Sequence, residues 1–209
     1  VVSVKGLGPI DALSTTLITV TNIMRDVSTQ RRELTRLSKL IPALSCPQNR
    51  PAIKPLEAFI QVFLEDNGRC LFVGHGDTKA FGFGPSIKEN VKGTVKPGKG
   101  PKSDSGIYFY PRPDRTDELW KTMVAWGVQV LIHHPASGAP LCHPLIPTVN
   151  LIVDSDAEPK RLCDLDLSTL NKDGFEPRDA GLLLLNETLA TASGKLTSHE
   201  IPADRILWL

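Results

Sequence analysis

The chain has 209 residues, 41% of them hydrophobic and 22% charged, with a formal net charge of +1; that length carries one large core, or one domain with an extension. The small charge excludes a global attraction to nucleic acid or anionic membrane and leaves only local clusters to steer a partner. No apolar run approaches the roughly 18 residues of a membrane span and nothing resembles a signal peptide, so the chain reads as intracellular, cytoplasmic or nuclear, in keeping with cysteines at 46, 70, 142 and 163 that form no C-x-x-C pair.

After the strand-like VVSVKGLGP, residues 11–44 place Leu13, Leu17, Val20, Met24, Val27, Leu34 and Ile41 at steps of four and three, which predicts a long amphipathic helix. Arg31 and Ser38 interrupt the stripe and β-branched threonines weaken it, so packing on the chain's own domain is favoured over a free coiled coil. A homo-oligomer through 11–44 is the alternative. Pro42, Pro47, Pro51 and Pro55 predict an extended connector. It closes a first unit at 1–55, and residues 56–209 form the head.

In EAFIQVFLEDNGRCLFVGHG two alternating runs flank Asn67-Gly68, which predicts a β-hairpin delivering His75 at its end. Residues 80–105, rich in Gly, Pro and Lys, predict a long mobile loop. SGIYFY reads as a strand with Ile107 and Phe109 on one face and Tyr108 and Tyr110 on the other. RTDELWKTMVAW reads as a short helix capped by Thr116 or Asp114. VQVLIHH, TVNLIVDSD, GLLLLNETLATA and RILWL read as strands, with a polar helix or turn over 158–171. The predicted fold class is α+β, with mostly antiparallel strands and a long N-terminal amphipathic helix.

Lysines at 88, 92, 96, 99 and 102 make a cationic loop suited to phosphate oxygens, RNA, DNA or an acidic protein. The loop is not a P-loop, because no Gly-Lys-Ser/Thr follows at the required spacing. His133, His134, Cys142 and His143 match no zinc spacing, and adjacent histidines on a strand point to opposite faces, so no metal site is predicted. No serine sits in a G-x-S-x-G turn.

LFVGHG, a long loop, SGIYF, a short helix, a strand and a late glutamate together resemble the ADP-ribosyltransferase fold of the poly(ADP-ribose) polymerase type. The resemblance implies an NAD-binding transferase moving ADP-ribose to an acceptor. His75 and Gly76 would then hold the dinucleotide, Tyr108 would stack on its nicotinamide, and Lys96, Lys99 and Lys102 would cover the pyrophosphate. Glu200 would stabilise charge at the anomeric carbon. Asp77 stands where that family has Ser or Thr, the second stacking tyrosine is missing, and Pro202 interrupts the last strand. His199 and Glu187 are alternatives to Glu200. The rival class is a non-enzymatic assembly module whose head binds nucleic acid or an acidic partner through the 88–102 loop.

Overall fold

Seven strands and four helices are found in the computed structural model, which describes residues 40–45, 53–74, 83–100, 105–135, 141–143, 145–153, 163–168 and 176–200. In chain order they are β1 (Pro42–Ser45), α1 (Ile53–Glu65), β2 (Arg69–Gly74), α2 (Pro85–Glu89), β3 (Val91–Thr94), β4 (Gly106–Pro111), α3 (Thr116–Ala125), β5 (Val130–His133), β6 (Thr148–Ile152), β7 (Leu165–Asp166) and α4 (Pro177–Ala192). The strands form one sheet in the order β3-β4-β2-β1-β5-β6-β7, and every pairing is parallel. The fold is therefore α/β, which corrects the predicted α+β head with mostly antiparallel strands.

Two segments account for the correction. EAFIQVFLE belongs to α1 and is not the first arm of a hairpin. Its apolar residues satisfy both periods, but Leu56, Phe59, Ile60 and Phe63, which share a helical face, are at most 1% exposed, whereas Gln61 and Glu65 face water. Asn67 does take a positive φ of 56°, as an Asn-Gly turn requires. It does so to end the helix: its N–H donates to the Leu64 carbonyl at 3.0 Å and the Gly68 N–H to the Phe63 carbonyl at 3.0 Å, the paired bonds of a Schellman motif. Gly127, at φ 72°, and Gly194, at φ 107°, close α3 and α4 in the same way.

GLLLLNETLATA is the body of α4 rather than a strand. Four consecutive leucines look like a buried strand, yet Leu184, Thr188 and Thr191 are fully buried while Leu182 and Leu183 are exposed, a helical pattern. The Thr188 hydroxyl donates to the Leu184 carbonyl one turn back at 2.7 Å, so a buried polar group is satisfied inside the helix.

Two further expectations are revised. Part of the lysine-rich stretch is ordered, as α2 and the edge strand β3, whose outward residues include Lys92 and whose ladder is broken by a register shift between Val91 and Gly93. The predicted N-terminal helix lies largely outside the described residues. Its last residues, 42–44, belong with Ser45 to the middle strand of the sheet, Pro42–Ser45, and not to a helix or connector, with proline tolerated as the first strand residue. Strands β4, β5 and β6 and helix α3 lie where the sequence puts them. No side chain caps α3, whose N-cap position is Arg115.

The helices cover both faces. Leu56, Phe59, Ile60 and Phe63 of α1 and Ala180, Leu184 and Leu185 of α4 pack with Leu44, Phe72, Phe109, Ile132 and Leu151. On the opposite face, Leu119 and Met123 of α3 and Trp126 after it pack with Ala43, Leu71, Tyr108, Tyr110 and Leu131. Right-handed crossovers require this division: the chain moves one way from β1 through α1 to β2, then returns past β1 from β4 through α3 to β5, and reversing direction puts the connection on the other face. Neighbouring strands β1 and β5 therefore send their onward chains to opposite faces. Such a switch point opens a crevice at the carboxyl ends of the strands.

Candidate functional site at the sheet switch point

Parallel register aligns Tyr110, Val73, Ser45, His133 and Asn150 in one transverse row across β4, β2, β1, β5 and β6, at the carboxyl ends of the first four. Alternation puts the row on the face covered by α3. Strands buried on both faces are ordinarily apolar throughout, so three polar side chains in register, Ser45 at 3% exposure, His133 at 5% and Asn150 at 1%, call for a reason.

Part of the row is structural. The Tyr110 hydroxyl accepts a hydrogen bond from Thr122 Oγ1 at 3.0 Å, tying β4 to α3 inside the core. Tyr110→Phe is expected to lower stability by about 1 kcal/mol, because Thr122 can fall back on a carbonyl of its own helix; a shift in the denaturant midpoint at unchanged slope would measure it.

The rest is less satisfied. The Asn150 Nδ2 donates to the Leu141 carbonyl at 3.5 Å, and the Asn150 backbone N–H donates to Asp164 Oδ2 at 2.7 Å. Next to His133, the His134 N–H donates to the Ser45 carbonyl at 2.9 Å, and its Nδ1 lies 2.9 Å from the Leu151 carbonyl, so that nitrogen carries the proton. Among the described residues nothing reaches His133 Nδ1, His134 Nε2 or Asn150 Oδ1, although all three atoms are buried. Buried polar atoms are normally paired, and each orphan calls for an explanation, of which a ligand or a catalytic step is one.

Charge at this edge comes from Arg112, just past β4, whose backbone N–H donates to the Gly74 carbonyl at 2.8 Å. Burial first, then the Arg112 guanidinium and His134, push the His133 pKa down to about 3, against a smaller opposing hydrogen bond with the Ser45 backbone. His133 is thus a neutral imidazole at physiological pH, a hydrogen-bonding group and not a cation. His143 stacks on Trp120 with ring centroids 4.5 Å apart and accepts the Leu145 N–H at Nδ1; burial holds its pKa below the ordinary value. Burial raises the Cys70 thiol far above its ordinary value and Cys163 to about 11, so neither is a thiolate nucleophile. Among the described residues no three His, Cys, Asp or Glu side chains converge as a metal site, and no helix is long and apolar enough to cross a membrane.

A concavity of about 470 Å³ lies between α1 and the start of α4, lined by Lys54, Glu57, Gln61, Glu65 and Arg178 among others. Two cations and two carboxylates line it, so it selects neither sign of charge. The switch-point row is the better candidate because its polar groups are buried and in register.

The residues predicted from the sequence are dispersed. Tyr108 lies in mid-β4 at 3% exposure, its ring centroid 4.9 Å from that of Trp126. Glu200 follows α4 and accepts hydrogen bonds from the Thr197 N–H at 2.8 Å and Thr197 Oγ1 at 3.0 Å. That turn is tied through Ser198 and Asp164 to β6. Four strand spacings, on the order of 19 Å, separate β4 from β6, and the structure does not bring Tyr108 and Glu200 together. Lys96 and Lys99 are exposed, and the neighbouring Gly100 lies by the Ala125 carbonyl at the end of α3, toward the amino-terminal edge of the sheet. His75, Gly76 and Lys102 lie outside the described residues.

No curated protein matches the chain. A family model described as D-galactarate/altronate dehydratase, C-terminal, matches residues 78–208, more than half of the sequence. The chain belongs to this dehydratase C-terminal family. The match overturns the resemblance to ADP-ribosyltransferases, as does the parallel sheet. NAD as cofactor, and the nicotinamide-binding and catalytic roles of His75, Gly76, Tyr108 and Glu200, rest on that resemblance alone. The assembly-module alternative gains no specific support either. Within the dehydratase-family span lie Arg112, His133 and Asn150; Ser45 precedes it.

Sequence reasoning set His133 aside for want of a zinc pattern and passed over Ser45 and Asn150. The one signal available was a polar residue ending or interrupting each apolar run, in PALS, VLIH and TVNLI. That signal acquires meaning only once the strands are known to be adjacent and parallel.

Proposed function

We propose that this chain binds a polyhydroxy carboxylate at the carboxyl edge of its sheet and takes part in removing water from it. Dehydration of such an acid breaks the C–H bond beside the carboxylate and the C–O bond on the next carbon. Proton and hydroxide leave as water, and the remaining enol becomes the ketone of a 2-oxo-3-deoxy acid. The reading draws its substrate class from the dehydratase family description. The observation that carries it to a place is the in-register row Ser45, His133 and Asn150 at the switch point, with Arg112 close enough to act on His133.

Arg112 suits the ligand's carboxylate, because a guanidinium offers two parallel N–H donors to two oxygens. The neutral row suits hydroxyls, which demand hydrogen-bond partners without charge. With a pKa near 3, His133 is a weak base, so its fitting role is binding rather than proton abstraction, which favours a base titrating near the working pH.

Calorimetry with galactarate and with altronate, followed by an absorbance assay for 2-oxo acid formation, tests the proposal. Binding of at least one acid is expected, weakened at least tenfold in Arg112→Ala and less in Arg112→Lys. The absence of binding heat and of product with both acids would end it.

A further inference from the structure

We infer that His133 and Asn150 form a subsite accepting two hydroxyl hydrogens from neighbouring carbons of the ligand, and so select a sugar acid over a plain dicarboxylate. The inference rests on the polyhydroxy-carboxylate reading above and adds the chemistry by which the hydroxyls are recognised.

The atoms point to acceptance. Asn150 Oδ1 is an acceptor by nature. His133 is a neutral imidazole whose Nδ1 is buried with no hydrogen-bond partner among the described residues, so in the Nε2–H tautomer Nδ1 offers a lone pair. The two residues are directly paired across β5 and β6 on one face, and neighbouring strands stand about 4.8 Å apart. Hydroxyl donors reach about 2.5 to 3.0 Å to an acceptor, so two acceptors on side chains one strand spacing apart match hydroxyls on adjacent carbons. A carboxylate does not, since two acceptors repel it. A metal ion would want further ligands, and among the described residues no three His, Cys, Asp or Glu side chains gather as a metal site. The Leu141 carbonyl holds Asn150 Nδ2 by a contact at the 3.5 Å limit, which a ligand hydroxyl can replace.

An unpaired buried acceptor is a cost that the empty protein carries and the ligand relieves. Replacing it with an apolar side chain of similar shape therefore separates a binding role from a structural one. Calorimetry with galactarate and adipate, six-carbon diacids with and without hydroxyls, and thermal melts without ligand, are to be run on the wild type, Asn150→Leu and His133→Phe. The wild type is expected to bind galactarate at least tenfold more tightly than adipate. In each variant that ratio should fall below about threefold through loss of galactarate binding alone, while the melting temperature at pH 7 holds or rises. Either variant suffices if the other does not fold. A wild-type ratio retained in the variants, or equal weakening of both acids with a lower melting temperature, would overturn the subsite and assign the pair to the core. Galactarate binding that vanishes with a chelator and returns with a divalent cation in the wild type alone would also overturn it, in favour of a metal. A wild type that binds neither acid defeats the polyhydroxy-carboxylate reading itself, and the subsite with it.

Discussion

Stability is expected to fall as the pH drops below about 6.5, well before most carboxylates titrate, and His133→Phe is expected to flatten that fall. His133 has a pKa of about 3 in the folded chain against an ordinary 6.5, because burial and the Arg112 guanidinium disfavour its charged form. Between those values the unfolded state takes up a proton that the folded state refuses. Stability therefore rises with pH across the window: the contribution is complete above 6.5 and is lost progressively down to 3. Each pH unit in the window is worth at most about 1.4 kcal/mol, so the loss at pH 5 is on the order of 2 kcal/mol. Ordinary carboxylates titrate at about 4, which makes pH 5 to 7 the range to read. Denaturant midpoints of wild type and variant at pH 5, 6 and 7 provide the measurement. Parallel lines for the two proteins would show that His133 does not cause the acid sensitivity.

That histidine also marks where sequence reasoning reached its limit. Alternation in VQVLIHH correctly sends His133 and His134 to opposite faces, and the strand, its neighbour TVNLI and the helix between Thr116 and Ala125 are all present. What alternation cannot reveal is direction. A parallel and an antiparallel sheet use the same short apolar strands, and the choice depends on what joins them. Here it turned on EAFIQVFLE, whose apolar residues fit a period of two and of 3.6 alike, and on Asn67, whose positive φ serves a hairpin turn and a helix end equally. Reading that segment as a strand made the sheet antiparallel. Without parallel order there is no switch point, and without a switch point Ser45, His133 and Asn150 are three unrelated polar residues on three strands.

The choice of Tyr108 has a related origin. Tyr108 and Tyr110 do share a face, as period two requires, but the face is covered by α3 and holds Trp126 against Tyr108. An aromatic pair beside a basic loop looks like a ligand wall only while the helix that covers it is unplaced. Burial of both rings is what a doubly wound sheet demands, since neither of its faces meets water.

Substitution of Gly181 is expected to cost more than helix propensity returns. Gly181 lies in the second turn of α4, where glycine should be a weakness: alanine in a helix interior is favoured by about 1 kcal/mol. A Cβ at this position, however, would stand 2.6 Å from the Ala58 Cβ and 2.8 Å from the Phe59 backbone nitrogen of α1. Carbon atoms prefer about 3.5 to 4.0 Å, and neither obstacle is a flexible side-chain end that can swing away. Relief requires moving α4 off α1, which opens the layer holding Phe59, Ile60 and Leu184. Overpacking of this kind costs about 1 to 3 kcal/mol for a single methyl group and more for a branched one. Gly181→Ala should therefore lower the urea midpoint despite its better propensity, and Gly181→Val should lower it further or prevent folding. Ala58→Gly combined with Gly181→Ala should recover part of the loss, because it removes the nearest obstacle and leaves the Phe59 nitrogen in place. A midpoint that rises in Gly181→Ala would mean that α1 and α4 do not approach this closely, and that the helical layer behind the switch point is held by its large side chains alone.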